Sequence, residues 1–329
     1  MMHKLPYEKE LGVLIRKKQE TDPGFGKHPE ERSVEELLDF GIININKPQG
    51  PTSHQISDYV KRILKVKRAG HSGTLDPNVT GVLPIALNRG TRILKVLLKS
   101  GKEYICLMHV HKEVSEKEIK KVMKKFVGKI KQKPPVRSAV KRVEREREIY
   151  YLEILEIDKQ DVLFKVGCEA GTYIRTLCFA VGKELKVGAH MQQLIRIKVA
   201  RFNDNNWASL HDLKDAYEDY KESSEDKIKE IILPVERAVE YFPKIWVFDN
   251  CLKSLCHGAD LNIPGVSRLN EGIEKEDLVA VMTLKNELIC VGKAEMSSKE
   301  IMKKNKGRVI TEKKVFMQKI YLESPTGSL

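Results

Sequence analysis

His71-Ser72-Gly73-Thr74-Leu75-Asp76-Pro77-Asn78-Val79-Thr80-Gly81-Val82-Leu83-Pro84 is the stretch on which the reading of this chain turns. Glycines at 73 and 81 let the backbone fold tightly at both ends of a loop. Asp76 stands before a proline, which biases its backbone away from the helical region. A carboxylate on so stiff a loop can be aimed at a substrate. The same Asp-Pro pair also reads as a helix N-cap followed by proline at the first helical position. The pair alone leaves both readings open.

On its N-terminal side, Gly41-Ile42-Ile43-Asn44-Ile45-Asn46 reads as a short strand, ended by Lys47-Pro48-Gln49-Gly50-Pro51. Thr52 and Ser53 open a helix whose face carries Ile56, Val60, Ile63 and Leu64. On the other side, Thr91 to Leu98 reads as a helix, 104–108 and 161–166 as strands, and Tyr173 to Leu185 as a helix. Val122, Met123, Phe126, Val127 and Ile130 recur at helical spacing within a lysine-rich stretch from Lys117 to Lys133, which reads as one helix. Beyond Pro243 the texture changes. Short apolar runs at 245–248, 278–282, 288–291 and 308–310 alternate with turn residues, the pattern of a small β-barrel or sandwich.

Composition narrows the function. The 329 residues carry 59 Lys and Arg against 46 Asp and Glu, a formal charge of +13 with pI ≈ 9.3. The excess is regional: residues 91–150 hold 18 basic and 7 acidic residues, net +11, whereas residues 203–230 hold 4 basic and 9 acidic, net −5. A concentrated basic face favours a polyanionic partner, RNA or DNA. No apolar run reaches the roughly 18 residues of a membrane span. The N-terminus offers no apolar signal core, so a cytosolic protein is expected. Six cysteines without a Cys-x-x-Cys spacing indicate neither a disulfide scaffold nor a zinc ribbon.

The loop and its neighbours resemble a known family. Ile45-Asn46-Lys47-Pro48-Gln49-Gly50-Pro51-Thr52-Ser53-His54 followed by the 71–84 string is similar to the TruB family of pseudouridine synthases, and closest to its dyskerin branch. Lys102-Glu103-Tyr104 resembles the family's tyrosine motif. Gln132-Lys133-Pro134-Pro135-Val136-Arg137-Ser138-Ala139-Val140-Lys141 resembles its Pro-Pro segment, and Gly171-Thr172-Tyr173-Ile174-Arg175-Thr176-Leu177 its arginine motif. The run from Cys256 to Val266, with Gly258, Ala259, Pro264 and Gly265, resembles the opening of a PUA domain. One segment departs from the pattern. Where the family usually reads Leu-Arg-Arg-Thr and then Gly, Leu194 and Arg196 match, but Ile195, Ile197 and Ala200 do not.

The resemblance implies an α/β fold: an N-terminal extension (1–38), a mixed-sheet catalytic domain (39–242) and a PUA barrel (243–329) that binds RNA. It implies an RNA pseudouridine synthase of the archaeal kind, acting in the cytoplasm on ribosomal or transfer RNA. Its partners would be an H/ACA guide RNA, a target RNA and small protein subunits, with no membrane, cofactor or metal. Asp76 would be the nucleophile. Tyr104 would stack on the flipped base, and Arg175 would pair with Asp76 and keep it ionised. Lys47 would brace the loop or meet phosphate, and His71 would wedge out the base or position the loop. Leu177 and Leu194 would shape the pocket from the core. Gly258, Ala259, Pro264 and Gly265 would hold RNA. A stand-alone transfer-RNA synthase is the alternative within the class, and a non-catalytic RNA-binding scaffold is the alternative outside it. His109 and His111, two apart on a strand, face one side, with no third ligand evident in the sequence. Cys168, Cys178, Cys251 and Cys256 read as buried.

Overall fold

A computed structural model describes residues 5, 8, 10–135 and 141–317. Val136 to Val140, within the Pro-Pro segment, lie outside the described residues. The chain forms two compact units. One comprises the described residues of 41–232 with Leu5 and Glu8, and the other those of 10–40 with 233–317.

The first unit is built on a mixed sheet. Its strands run in the order Gly41–Lys47, Thr80–Leu87, Ala189–Val199, Lys102–Val110, Asp161–Cys168, Arg145–Asp158, Gly128–Gln132. All neighbours on this path are antiparallel except Thr80–Leu87 against Ala189–Val199. That pair runs parallel, with Thr80 paired to Ile195 and Gly81 to Arg196. Alternation along Lys102–Val110 sends Tyr104, Cys106, Met108 and Val110 to one face. Helix Glu116–Lys124 adds Ile119, Val122 and Met123 to the same core, and helix Ile174–Glu184 adds Ile174, Leu177, Cys178 and Val181. Sheet and helices thus close over one apolar layer.

Several strands escaped the sequence reading for identifiable reasons. Thr80–Leu87 carries Pro84, which reads as loop, yet Pro84 pairs opposite Asn44 and its carbonyl accepts from the Ser72 amide at 3.0 Å. Arg145–Asp158 is largely exposed and charge-rich, so its apolar alternation is thin. The expected helix from Lys117 to Lys133 stops at Lys124, and Gly128–Gln132 is a strand. Phe126 and Ile130 are four apart, which also satisfies a period of two, so spacing could not separate the two readings.

The second unit has one sheet, ordered Val13–Ile15, Val266–Asn270, Lys244–Val247, Leu278–Met282, Leu288–Ala294, Arg308–Val315, Leu261–Asn262. The four apolar runs after Pro243 are all strands. The N-terminal segment belongs here: Val13–Ile15 pairs antiparallel with Val266–Asn270. Buried Arg32 makes two 2.8 Å bonds to Glu236, whose carboxylate also accepts from the Leu288 amide at 3.0 Å. Two hydrogen-bonded contacts from one guanidinium satisfy a charge that burial would otherwise penalise.

Candidate active site

The 71–81 loop is pinned on both sides of Asp76. Before it, the Ser53 hydroxyl accepts from the Leu75 amide at 2.8 Å and donates to the Leu75 carbonyl at 3.2 Å. After it, the Pro77 carbonyl accepts from the Gly50 amide at 2.9 Å and from the Lys47 ammonium at 3.1 Å. The N-cap reading of Asp76 does not hold. No helix follows Pro77, and the Asp76 carbonyl accepts from the Val79 amide at 3.0 Å, closing a turn. Gly73 and Gly81 both adopt positive φ, +84° and +106°, as the tight ends of the loop require. Asp76 is therefore held rigidly by its neighbours while its own side chain stays 61% exposed.

Arg175, in the first turn of helix Ile174–Glu184, donates through Nη2 to Asp76 Oδ2 at 3.1 Å. That contact leaves Oδ1 of Asp76 without an engagement to Arg175. The start of this helix is set by Gln132, which donates to the Tyr173 carbonyl at 3.1 Å and accepts from its amide at 2.9 Å. A small cleft of about 80 Å³ lies alongside, lined by Gln132, Pro134, Arg145, Arg147, Gly171 and Tyr173.

Tyr104 lies buried on the central strand, directly opposite Arg196 across the neighbouring antiparallel strand. Burial pushes the phenol up to about 12, with the guanidinium acting the other way. Asp76 is near enough to contribute to the same balance.

Lys47 is fully buried at the end of its strand. Its ammonium donates to the carbonyls of Pro48, Pro77 and Val79 at 2.8, 3.1 and 2.8 Å. Burial pulls its pKa down, against the pull of Asp76. Of the two roles weighed for this lysine, the contacts describe the brace. His71 is half-buried, and burial, then Arg196 and His54, lower its pKa, which favours neutral imidazole at pH 7. Its Nδ1 is buried without a hydrogen-bond partner. Leu177 is buried in the core beside Cys178, and Leu194 packs against the same cluster from the neighbouring strand.

Gly258, Ala259, Pro264 and Gly265 lie in the second unit. Gly258, Ala259 and Pro264 are exposed, whereas Gly265 is buried against Cys251. Cys168, Cys178 and Cys256 are buried, and Cys251 is half-buried rather than buried.

Two features went beyond the sequence reading. His109 and His111 are not alone. His109 Nδ1 lies 2.7 Å from Asp161, and His111 Nε2 lies 3.0 Å from His190 Nδ1, because strand pairing sets 109 opposite both 161 and 190. Among the described residues, however, no group of three or more His, Cys, Asp or Glu is arranged to hold a metal ion. The departures at 195–200 are also informative. Ala200, at the family's glycine position, is buried with φ +52°, the left-handed conformation that glycine serves at no steric cost. Ile195 is exposed. Ser53 was missed as a support of the loop. Nothing in a serine that opens a helix marks that role before the fold places it.

Comparison with known proteins covers nearly the whole chain. Residues 61–174 match the TruB family pseudouridylate synthase N-terminal domain, and 175–240 the tRNA pseudouridylate synthase B C-terminal domain. Residues 4–57 match the DKCLD (NUC011) domain and 243–316 the PUA domain. A probable tRNA pseudouridine synthase B of Pyrococcus abyssi is 51% identical over 316 residues, 95% of each chain. One from Methanopyrus kandleri is 47% identical over 96% of this chain and 94% of its own. Among solved structures, a Cbf5-Nop10-Gar1 complex contains a chain that is 48% identical with a TM-score of 0.92, covering 97% of this chain and 98% of that one. A structure of an H/ACA RNP bound to a substrate RNA containing 2'-deoxyuridine gives 47% identity and a TM-score of 0.90 over the same shares.

Proposed function

The chain belongs to the TruB family of pseudouridine synthases, and we propose that it isomerises uridine in RNA as the catalytic subunit of an H/ACA guide-RNA particle. The observation that carries the chemistry is the 3.1 Å pair between Arg175 and an exposed Asp76 on a loop fixed on both flanks. Arg175 engages Oδ2 of the carboxylate, so Oδ1 is the oxygen left to attack. A cation beside the carboxylate also favours its ionised form.

The target uridine must leave its stack to reach this loop. Asp76 captures it covalently as the glycosidic C–N bond breaks. The base turns, the bond between Asp76 and the sugar carbon breaks as that carbon bonds to carbon 5 of the ring, which frees the carboxylate, and the proton on carbon 5 is lost while nitrogen 1 gains one. Atoms and electrons balance without redox chemistry, so the reaction calls for no cofactor. Tyr104 stacks on the flipped base. His71, neutral with an unpartnered Nδ1 beside the loop, supports extrusion or positioning of the base. Lys47 holds the loop, and Leu177 and Leu194 back it from the core. Gly258, Ala259 and Pro264 of the PUA domain hold RNA at the exposed surface, and Gly265, buried against Cys251, supports that surface from beneath rather than meeting RNA itself.

The likeness to the Cbf5 chain supports partners of the Nop10 and Gar1 kind and a guide RNA that selects the target by base pairing. Ribosomal RNA is the target under this reading, in the cytoplasm of an archaeal cell. No helix among the described residues is long and apolar enough to cross a membrane. The names of the sequence relatives favour a second reading, guide-independent action on transfer RNA. One experiment separates the two. The purified chain is incubated with transfer RNA and with a guide–target pair, each with and without the small subunits, and pseudouridine is mapped. Modification only of the guide-paired target, dependent on the subunits, is expected. Modification of transfer RNA by the chain alone would favour the second reading. Asp76→Asn should abolish turnover in either assay, by at least about a thousandfold, while RNA binding persists.

A further inference from the structure

The sequence at 194–200 singles out Arg196 as a retained member of a broken motif, and the fold places it beneath the active site. Tyr104 and Arg196 face one another across antiparallel strands, immediately after an irregularity between Glu103 and Tyr104. On its other side Arg196 pairs with Gly81, the last residue of the catalytic loop. A Cβ at position 81 would stand 2.2 Å from the Arg196 carbonyl oxygen, so only glycine lets the loop's end approach this closely.

The side chain ties the same pieces together a second time. Nε donates to the Val82 carbonyl at 2.8 Å and Nη2 reaches the Gly73 carbonyl at 3.4 Å, while the cation, opposite Tyr104 across the strand pair, pulls the phenol pKa down against burial. One planar group therefore touches both ends of the Asp76 loop from the position facing the tyrosine. Arg196 is 1% exposed, and these two partners are carbonyls rather than a carboxylate. A guanidinium buried in this way is an expensive means of filling a core. Lys47 and Lys102, also buried, bring two more cations to the same region, which raises the cost further. An aliphatic side chain would fill the space more cheaply, but it could not bond both ends of the loop.

We infer that Arg196 is a positioning residue for the isomerisation: it ties both ends of the Asp76 loop to the strand position opposite Tyr104 and so holds loop and tyrosine in a single register. It acts through Tyr104 and the loop and does not itself touch RNA. This inference rests on the reading of Asp76 and Tyr104 given above. A displacement of about 1 Å between reacting groups can cost on the order of a hundredfold in rate.

The test compares Arg196→Met and Arg196→Lys with wild type in the full chain, on whichever RNA the wild type modifies, under single turnover. Circular-dichroism melting verifies that each variant is folded. Arg196→Met is expected to lower the rate at saturating enzyme about 10- to 100-fold, with the half-saturating concentration within twofold of wild type. Arg196→Lys, which restores a donor but not the fork, is expected between the two. A saturating rate within threefold of wild type, or a loss confined to the concentration dependence, overturns the inference. If Arg196→Met does not fold, Arg196→Lys is judged by the same split. Asp76→Asn and Tyr104→Phe run in parallel separate the two levels. Full turnover in both brings down the reading of the site itself, whereas full turnover in the Arg196 variants alone brings down only this inference.

Discussion

The ammonium of Lys47 lies 2.8 Å from the carbonyl oxygen of Val79, thirty-two residues away, on the far side of Asp76. With the Pro48 and Pro77 carbonyls it completes three bonds, one for each ammonium hydrogen. The catalytic loop is thus bolted from below by a buried cation. Lys47→Met would fill the space but take this donor from the Pro48 and Val79 carbonyls and leave the Pro77 carbonyl with the Gly50 amide alone. The expected loss is about 1–3 kcal/mol, since unsatisfied buried acceptors outweigh the relief of burying a charge. Denaturant unfolding measures it. The saturating rate of isomerisation should fall too, because the loop loses its brace.

Arg175 should behave in the opposite way. Its pair with Asp76 is open to water on both sides, 53% and 61% exposed, and exposed pairs are worth between zero and about 1 kcal/mol. Arg175→Met is therefore expected to shift stability by less than about 1 kcal/mol while lowering turnover at least about a hundredfold. A melting curve matched to a single-turnover assay checks both halves. A variant that loses stability and keeps its rate would recast Arg175 as a scaffold residue.

The contrast between these two residues marks what the sequence could tell. Asp76, Tyr104 and Arg175 were legible because each stands in a local motif whose residue order survives in one dimension. The helices at 53–63 and 174–184 and the strands after 243 were legible from periodicity. Arg196, Ser53 and Gln132 were not, because their meaning lies in contacts to segments 22 to 123 residues distant. The strand at 80–87 was hidden by Pro84, which pairs at a position where the sheet tolerates it. The membership of residues 10–40 in the second unit rests on pairing with Val266–Asn270, a partner that no local pattern names.

Lys102 gives a prediction in pH. It is 5% exposed, its ammonium donates to the Leu98 and Ser100 carbonyls at 3.0 and 2.6 Å, and burial brings its pKa down to about 7 from 10.5. Between those values the unfolded chain holds the proton and the folded chain does not, so stability rises with pH across that window. Below about 7 both states are protonated and the penalty of the buried charge is present in full. The span corresponds to an upper bound of roughly 5 kcal/mol. The stability of wild type relative to Lys102→Met should therefore climb from pH 7 toward 10.5. Urea unfolding of both proteins at several pH values tests this, and a flat difference refutes it.

The basic window is best examined through salt. Helix Glu116–Lys124 buries Ile119, Val122 and Met123 and leaves Lys121 and Lys124 exposed on its outer face, with Lys125 exposed at its end. Lys125 is paired with Glu184 at 2.6 Å, but both side chains are about half exposed, so that pair is cheap to give up for a phosphate. None of the three lies in a catalytic motif. Phosphate contacts add affinity without choosing sequence, and each one lost flattens the dependence of log affinity on log salt by up to about one unit on a duplex. Neutralising Lys121, Lys124 and Lys125 together should reduce that slope by up to about three units, and should weaken guide and non-guide RNA by similar factors. Melting temperature and the rate on an already bound target should stay close to wild type. A face that served only for solubility, or that docked an acidic protein, would leave the salt slope unaltered. RNA titrations at several salt concentrations decide between these, because screening acts on the exposed phosphate contacts and leaves buried groups such as Tyr104 and Arg196 nearly untouched.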